Sequence, residues 1–500
     1  MGVRVAPAGW LVGVARDFMN ITFNCASCGT RLRAAAEQTG KRVMCPDCRE
    51  AQFVPTDETR GSSDNLRDGA NSNSKTLPGT GRGYTIPDEV LCPICWLVSD
   101  LGELMHISVD NELKGDSILG ADQQQRFLAT RFNDLGQALD PSGFPCSDLA
   151  CPHCRRKLPS GFLETSHRII SLVGDQSAGK SYFLAVLAKV LPATLFRNFN
   201  VTFQDGDPQG NAKLNEMKIR LFGARTPQEA RFERTEVNGS MYDRLPRRGK
   251  QVLLPKPFTY TLGSDAAPDG QVSLVFYDNS GENFQPGYDI NEYPGAQHVA
   301  SASGILFLFD PFNSDDFRKR LRNGKDPQLE NPTTDQQAII LSEMRSRIQK
   351  LRHLRSSEKI DTPLAMLIGK CDAWMHLLGE NALQNPIRDG WLDSVALQHN
   401  SRVVRSLLME ICPSVVGNAE SLSKEVLFFA VSSFGHTPVQ TVNEKTKARH
   451  ISPDPTQLRP IFVEVPVLWL LSKFCQHFVP ISPSAQSQCS SNPQTAATPG

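Results

Sequence analysis

From about residue 166 onward, short continuous apolar runs alternate with segments in which apolar residues recur at helical spacing. In the helix predicted over 334–354, Ile340, Met344, Ile348 and Leu351 follow one face. This alternation is typical of a mainly parallel α/β sheet flanked by helices. The predicted strands are 168–173, 201–203, 258–262, 272–277, 304–309, 364–368 and 426–431, and the predicted helices are 180–190, 208–221, 334–354, 394–411 and 461–474.

A different pattern occupies the first 160 residues, where cysteines come in C-x-x-C pairs. Residues 21–55 hold two pairs among short β-prone runs at 21–23, 42–44 and 51–54, which predicts a compact zinc ribbon. Residues 89–160 hold two more pairs around a long insertion, which predicts an elaborated zinc module. A reducing cytosol favours zinc over disulfides at this spacing. The predicted zinc ligands are Cys25, Cys28, Cys45 and Cys48 in the first site, and Cys92, Cys95, Cys151 and Cys154 in the second.

Four thiolates fill a tetrahedral zinc site and leave no open position for water. We therefore expect two structural zinc ions that support folding or dock a partner, rather than a catalytic metal. Near the second site, His106, Cys146 and His153 are alternative ligands that four thiolates make unnecessary.

Composition completes the domain organisation. We predict an N-terminal extension over 1–20, the zinc ribbon over 21–55, and a flexible linker rich in Gly, Ser, Asn and Asp over 56–88. The second four-cysteine module follows over 89–160, then an α/β domain over 165–478 and a disordered low-complexity tail over 479–500. The predicted fold class is α/β, a mainly parallel sheet flanked by helices and preceded by two small zinc-binding modules.

Charge and hydropathy exclude several classes of protein. Lys plus Arg number 53 and Asp plus Glu number 53, so the formal net charge is zero and no strong global attraction to nucleic acid is indicated. No apolar stretch reaches the eighteen or so residues that a membrane span needs. The N-terminus lacks the features of a signal peptide. We therefore expect a cytoplasmic protein without a membrane span.

The strongest motif is G-x-x-x-x-G-K-S over 174–181, between an apolar strand and an amphipathic helix. Such a loop turns its backbone amides toward phosphate oxygens beside a helix N-terminus. Lys180 would reach the β and γ phosphates, and the Ser181 hydroxyl would ligate Mg²⁺. The predicted nucleotide-binding residues of this segment are Gly174, Asp175, Gln176, Ser177, Ala178, Gly179, Lys180, Ser181 and Tyr182.

A second segment, DNSGE, follows the strand predicted over 272–277. Asp278 is predicted to hold Mg²⁺ together with Ser181, and Gly281 to offer an amide to the γ-phosphate. Glu282 occupies the position where many GTPases have a water-orienting Gln. Because its carboxylate would repel the γ-phosphate, we expect hydrolysis to be slow or to depend on a partner. Lys180, Ser181, Asp278, Gly281 and Glu282 form the predicted catalytic set. Thr226 and Thr235 are the alternatives for the switch I hydroxyl.

Two further segments are predicted to read the base. In the GKCD run, Lys370 would pack its stem over the base, and Asp372 would accept hydrogen bonds from guanine N1 and N2, which adenine cannot offer. In GTPases the residue before this lysine is usually Asn or Thr, whose side chain ties the loop to the P-loop. Here the residue is Gly369, so that side chain is missing. Ser432 and Ser433 end the last predicted strand, where a backbone amide would meet guanine O6.

With CPIC, LKGDSILGADQQQRFLATRF, DLACPHC, GDQSAGKS and DNSGE in order, the chain resembles the bacterial double-GTPase type 2 family, P-loop proteins of the translation-factor-like GTPase class. The resemblance covers roughly residues 90–475. It implies a P-loop GTPase-like fold for the domain at 165–478. It also implies a regulatory NTPase that acts with partner proteins, in multi-component systems of the bacterial conflict or defence kind. The CASC/CPDC ribbon is similar to small zinc ribbons at the N-termini of planctomycete-type proteins.

These features favour a switch that binds and hydrolyses GTP with Mg²⁺ and whose zinc modules dock an unidentified protein partner. One alternative is an ATP-driven enzyme associated with nucleic acid, since zinc ribbons also accompany helicases and polymerases; zero net charge and the K-x-D segment argue against it. Another is a scaffold that binds nucleotide without hydrolysing it.

Overall fold

The computed structural model describes residues 89–232, 242–247, 250–264, 267–278, 284, 297–321, 326–330, 335–442 and 449–482, and the backbone of four short strands nearer the N-terminus. The chain divides into two compact units, Met1–Lys75 and Thr76–Gly500. In the first unit, Asn20–Asn24 pairs with Arg31–Ala35, and Arg42–Met44 pairs with Ala51–Phe53, both antiparallel. The runs predicted at 21–23, 42–44 and 51–54 are strands, whereas the strand at Arg31–Ala35 was not predicted.

A seven-stranded sheet forms the centre of the second unit. Its strands are β1 (Ser166–Gly174), β2 (Thr202–Asp205), β3 (Pro257–Ser264), β4 (Ala267–Asp278), β5 (Gly304–Phe309), β6 (Leu364–Ile368) and β7 (Val426–Ala430). They lie in the order β2-β3-β4-β1-β5-β6-β7. Strands β4, β1, β5, β6 and β7 are parallel to one another. Strands β3 and β2 extend the sheet beyond β4 with antiparallel pairing.

Helices cover both faces of this sheet, which explains why β5 and β6 are apolar and buried along their whole length. The longer helices are α1 (Lys180–Phe199), α2 (Ala212–Gly223), α3 (Gln337–Leu351), α4 (Ser394–Ile411), α5 (Pro413–Leu422) and α6 (Val465–Phe474). Short helical segments are Leu101–Glu103, Pro227–Ala230, Gln297–Ala300, Pro311–Asn313, Asp315–Leu321, Pro327–Glu330, Cys371–Trp374, Met375–Leu378 and Pro455–Gln457.

Side chains alternate along β1 between two hydrophobic cores. Ile169 and Val173 join the core that contains α3 and α5, whereas Ile170 and Leu172 join the core that contains α1 and α6. Within the described residues, α1 alone has the length and hydropathy to cross a bilayer. Its apolar residues are instead packed in the second core, as for a helix that lies on a sheet.

The predicted strands and five predicted helices all occur. The strands at 304–309 and 364–368 and the helix at 394–411 have the predicted bounds, and the ends of the others are shifted. Helix α1 continues to Phe199 through Pro192, nine residues beyond the prediction, because Leu191 and Leu195 are still buried. Helix α6 begins four residues later than predicted, since the backbone of Ile461 pairs with Ser432 and Phe462 adopts a left-handed φ of 51°. Helix α5 and the hairpins Tyr242–Arg247/Lys250–Pro255 and Val439–Val442/Arg449–Ser452 were not predicted.

The second cysteine module contains several short antiparallel strands. They are Glu89–Leu91 with Val98–Asp100, Lys114–Asp116 with Gly120–Gln124, Ala138–Leu139 with Pro145–Cys146, and the three-stranded set Arg126–Phe127, Met105–Ile107 and Leu149–Ala150.

This module shares a core with the sheet. The buried Tyr277 hydroxyl on β4 donates a hydrogen bond to the carbonyl oxygen of Pro93. The Trp96 ring meets Tyr277 edge-on at 5.8 Å between centroids, and His298 stacks on Tyr277 at 4.7 Å. The cysteine module and the sheet are therefore packed as one body at this point.

We predict that Tyr277→Phe lowers the free energy of unfolding by about 1–2 kcal/mol, because the buried Pro93 carbonyl loses its donor. Denaturant unfolding of the metal-loaded chain measures this change. Tyr260→Phe is the matched control, since the Tyr260 hydroxyl is buried and has no hydrogen-bond partner among the described residues. An equal loss in both variants would contradict a specific role for the Tyr277 hydrogen bond.

Candidate functional site

The loop between β1 and α1 has the backbone geometry of a tight strand-to-helix turn. Ser177 and Gly179 adopt left-handed φ angles of 64° and 92°. A Cβ atom at Gly174 would lie 2.5 Å from the carbonyl oxygen of Leu308, so only glycine allows β1 and β5 to approach this closely. The loop leads directly into the N-terminus of the twenty-residue α1, where a helix favours bound anions.

The positive charge of Lys180 lies against the backbone of this loop. Its ammonium donates to the carbonyl oxygens of Gly174 at 3.0 Å and Asp175 at 2.7 Å, and the residue is buried. The side chain therefore folds back along the loop it starts from. An ammonium held at this place can exchange carbonyl partners for an anionic ligand that binds in the loop.

Ser181 and Asp278, the two predicted Mg²⁺ ligands, lie in contact although 97 positions separate them in the chain. The Ser181 hydroxyl donates to Oδ2 of Asp278 at 2.9 Å. Burial raises the pKa of the Asp278 carboxyl, and the Lys180 charge and the Ser181 hydrogen bond offset part of that rise. A divalent cation bound by both oxygens would supply the charge that this carboxylate needs. Gly281 and Glu282 lie outside the described residues.

Asn313 also contacts the loop, and the sequence analysis missed it. Its side-chain amide, in a residue only 5% exposed, donates to Oδ2 of Asp175 at 3.2 Å and to the carbonyl oxygen of Gln176 at 3.4 Å. Burial raises the pKa of the Asp175 carboxyl, while the amides of Gln176 and Asn313 partly offset that rise. The signal in the sequence is a polar residue in the turn that follows β5, beside β1 in the sheet.

The predicted base-reading residues follow β6 and β7, the two strands on the side of β5 away from β1 in the sheet. Lys370 has a left-handed φ of 54°, and its ammonium pairs with Oδ2 of Asp310 at 2.6 Å and lies 5.1 Å from the centroid of the Phe312 ring. Asp372 accepts a hydrogen bond from the Ser432 hydroxyl. A Cβ atom at Gly369 would lie 3.2 Å from the carbonyl oxygen of Phe309, which leaves little room for a side chain there.

One cavity of about 390 Å³ joins these segments. This volume lies within the usual range for small-molecule sites, about 300–1,000 Å³. Of the predicted residues, Ser177, Ala178, Gly179, Tyr182, Lys370, Asp372, Ser432 and Ser433 line it, together with Gly369. The remaining lining residues are Leu308, Asp310, Phe312, Asn313, Gln328, Val431, Phe434, His436, Pro438, Ile451 and Pro453.

Tyr182 forms part of an aromatic wall of the cavity. Its ring stacks on Phe232 at 4.1 Å between centroids and meets Phe434 edge-on at 4.9 Å. Its hydroxyl accepts a hydrogen bond from the Phe232 backbone amide. Of the two switch I alternatives, Thr226 caps the helix Pro227–Ala230 by accepting from the Glu229 amide, and Thr235 lies outside the described residues.

The four cysteines predicted to form the second metal site lie together in the structure. The Sγ atoms of Cys92, Cys95, Cys151 and Cys154 all lie within 4.8 Å of one another, and all four residues are buried. The Sγ atoms of Cys92 and Cys154 are 3.8 Å apart, and those of Cys95 and Cys151 are 3.7 Å apart. A tetrahedron with metal–sulfur bonds of about 2.3 Å has edges of about 3.8 Å, so the cluster has the dimensions of a zinc site.

Two of the three alternative ligands near this cluster have other hydrogen-bond partners. The Cys146 thiol donates to the carbonyl oxygen of Phe144, and Nε2 of His153 lies 3.2 Å from the carbonyl oxygen of Val98. Within the described residues, the metal-sized group contains the four predicted cysteines and not His106, Cys146 or His153. Cys25, Cys28, Cys45 and Cys48 of the first predicted site lie outside the described residues.

Comparison with known proteins adds one distant likeness. No family model matches the chain. The chain is 27% identical, over 327 residues, to a Mycolicibacterium smegmatis protein provisionally named ESX-1 scaffolding and assembly protein SaeC. The matched region covers 61% of this chain and 76% of that protein.

We predict that Cys154→Ser lowers the zinc content by one equivalent per chain and lowers the unfolding temperature, because metal binding at such a site contributes to folding. Elemental analysis and thermal unfolding of the dialysed full chain measure both. Cys146→Ser is the control, since this buried thiol is near the cluster but outside it. Unchanged zinc in Cys154→Ser would exclude the four-cysteine cluster as a metal site.

Proposed function

We propose that the chain binds a guanine nucleoside triphosphate with Mg²⁺ in the cavity beside residues 174–182 and acts as a nucleotide-dependent switch. The single observation that carries this proposal is convergence. Three segments that are separated in the sequence, at 177–182, 369–372 and 432–433, contribute lining residues to one cavity, and Asp278 is joined to the first of them by its hydrogen bond with Ser181.

The position of the cavity in the sheet supports the proposal. After β1 the chain builds β2, β3 and β4 on one side of β1 and then β5, β6 and β7 on the other. The order therefore reverses at β1, and a crevice opens at the carboxyl ends of β1 and its neighbours. Open α/β sheets bind their ligands at such a switch point.

The charges in the site suit a polyphosphate with a metal ion. The Lys180 ammonium donates to two neutral carbonyl oxygens of the loop, and an anionic phosphate oxygen would be a stronger acceptor than either. Ser181 and Asp278 offer a hydroxyl and a carboxylate oxygen 2.9 Å apart, and oxygen ligands are those that Mg²⁺ prefers.

The far side of the cavity suits a purine base. Lys370 and the rings of Phe434 and Tyr182 provide flat or extended apolar surface, and Asp372 provides a carboxylate acceptor. An acceptor at this place favours guanine, which presents donors at N1 and N2, over adenine. Isothermal titration of the full chain with Mg·GTP and Mg·ATP tests the base assignment, and preference for ATP would reject it.

Lys180→Ala is expected to weaken GTP binding by about a hundredfold, because two charge-assisted hydrogen bonds to phosphate are lost. The zinc content should not change, since the four-cysteine cluster is elsewhere. Lys189→Ala on the exposed side of the same helix is the control and should bind GTP normally. Equal affinities for GTP in the two variants would contradict phosphate binding by Lys180.

Asp372→Asn is expected to exchange the base preference, with weaker binding of GTP and stronger binding of xanthosine triphosphate. The Asn amide can donate to the C2 carbonyl of xanthine, whereas guanine has an amino group there. Each changed hydrogen bond accounts for roughly a tenfold change in affinity. Competition titrations with both nucleotides measure the exchange, and a proportional loss for both would mean that Asp372 does not contact the base.

A nucleotide-binding scaffold that does not turn over is a second candidate, favoured by the name of the M. smegmatis relative, which refers to scaffolding and assembly. In this case GTP would stabilise one conformation for a protein partner. Phosphate release under single-turnover conditions separates the two functions: release at the background rate despite tight GTP binding favours the scaffold. Slow release above background favours the switch.

A further inference from the structure

The turn after β5 links the two halves of the proposed nucleotide site. This turn, Asp310 to Asn313, contains the short helix Pro311–Asn313, and both of its end residues are buried. At one end, Asp310 pairs with Lys370 of the base-reading loop. At the other end, Asn313 donates to Asp175 and Gln176 of the phosphate-binding loop.

The turn is itself held firmly. Oδ1 of Asp310 accepts from the Phe312 amide at 3.0 Å, which caps the short helix. The buried side chain of Gln337, on α3, accepts from the Asp310 amide at 2.6 Å and donates to the Asp310 carbonyl oxygen at 3.1 Å. Because both backbone groups of Asp310 bond one buried amide, the turn cannot shift without breaking contacts to α3.

Two close approaches show that the end of β5 lies against both the 369 and the 174 positions. A Cβ atom at Gly369 would lie 3.2 Å from the carbonyl oxygen of Phe309, the residue directly before the turn. A Cβ atom at Gly174 would lie 2.5 Å from the carbonyl oxygen of Leu308. The end of β5 therefore occupies the space between the two loops, and the turn that follows it supplies the polar groups.

We infer that Asn313 is a positioning residue that fixes the phosphate-binding loop to the base-reading loop through Asp310 and Lys370, in place of the side chain that residue 369 lacks. The inference rests on the proposed function. It concerns the position of one loop relative to the other. A substitution of Asn313 should therefore affect a ligand that spans both loops more than a ligand that contacts one of them.

The experiment compares a ligand that spans both loops with one that reaches only the phosphate side. Titration of the full, metal-loaded chain with Mg·GTP and with Mg·tripolyphosphate gives both affinities. For Asn313→Ala we expect GTP affinity to fall about tenfold and tripolyphosphate affinity to fall much less. An equal fall for both ligands would mean that Asn313 supports the phosphate loop alone and would overturn the inference.

Asp310→Asn provides a second test, because its side chain bonds Phe312 and Lys370 rather than the phosphate loop. GTP affinity should fall while tripolyphosphate affinity does not fall; no change in GTP affinity would overturn the inference. Asn211→Ala is the matched control. Asn211 is fully buried and bonds the backbone of Thr259 away from the cavity, so its loss should lower stability and leave both affinities intact.

Titration of the wild-type protein distinguishes failure of the proposed function from failure of the inference about Asn313. Wild type that binds neither ligand would overturn the proposed function, and the inference with it. Wild type that binds GTP, with Asn313→Ala binding it equally well, would overturn only the inference. Thermal unfolding of each variant shows which of them fold, and if Asp310→Asn does not fold, the comparison of the two ligands in Asn313→Ala decides the inference.

Discussion

Parallel pairing of five buried strands is the constraint on which the rest of the structure depends. It brings the carboxyl ends of β1, β4, β5, β6 and β7 to one edge of the sheet, and the polar residues that follow those strands meet there. Because both faces of the strands are covered by helices, this edge is where polar groups can lie beside a cavity without interrupting the apolar cores. Residues as distant in the chain as Ser181 and Asp278 are in hydrogen-bond contact for this reason.

Several charges are buried at this edge, and each has a compensating contact. Lys180 lies on loop carbonyls and near Asp278, Asp310 pairs with Lys370, and Asp175 accepts from Asn313. Removing one partner of such a pair is costly because the remaining charge stays buried. The polar side chains of the site are thus bonded to one another rather than isolated. In the proposed function, phosphate and metal would replace some of these existing partners.

The second four-cysteine module reaches the same sheet from another side. Tyr277, which bonds the Pro93 carbonyl within the first knuckle of that module, directly precedes Asp278 on β4. A cysteine knuckle and a proposed magnesium ligand therefore rest on consecutive residues of one strand. Their side chains point to opposite faces, as strand geometry requires, so a single strand serves both sites.

The sequence by itself determined the seven strands of the sheet, five of the six longer helices, the loop at 174–181 and the second cysteine set, because each depends on local periodicity or on a short spacing with a defined chemistry. Only the tertiary structure decided that Asn313 and Asp310 belong to the site, since their partners at 175, 176 and 370 are remote in the chain. It also decided the end of α1 and the start of α6. Burial of Leu191 and Leu195 outweighs Pro192, and pairing of Ile461 with Ser432 replaces a helical turn, because packing and pairing between distant segments override local propensity.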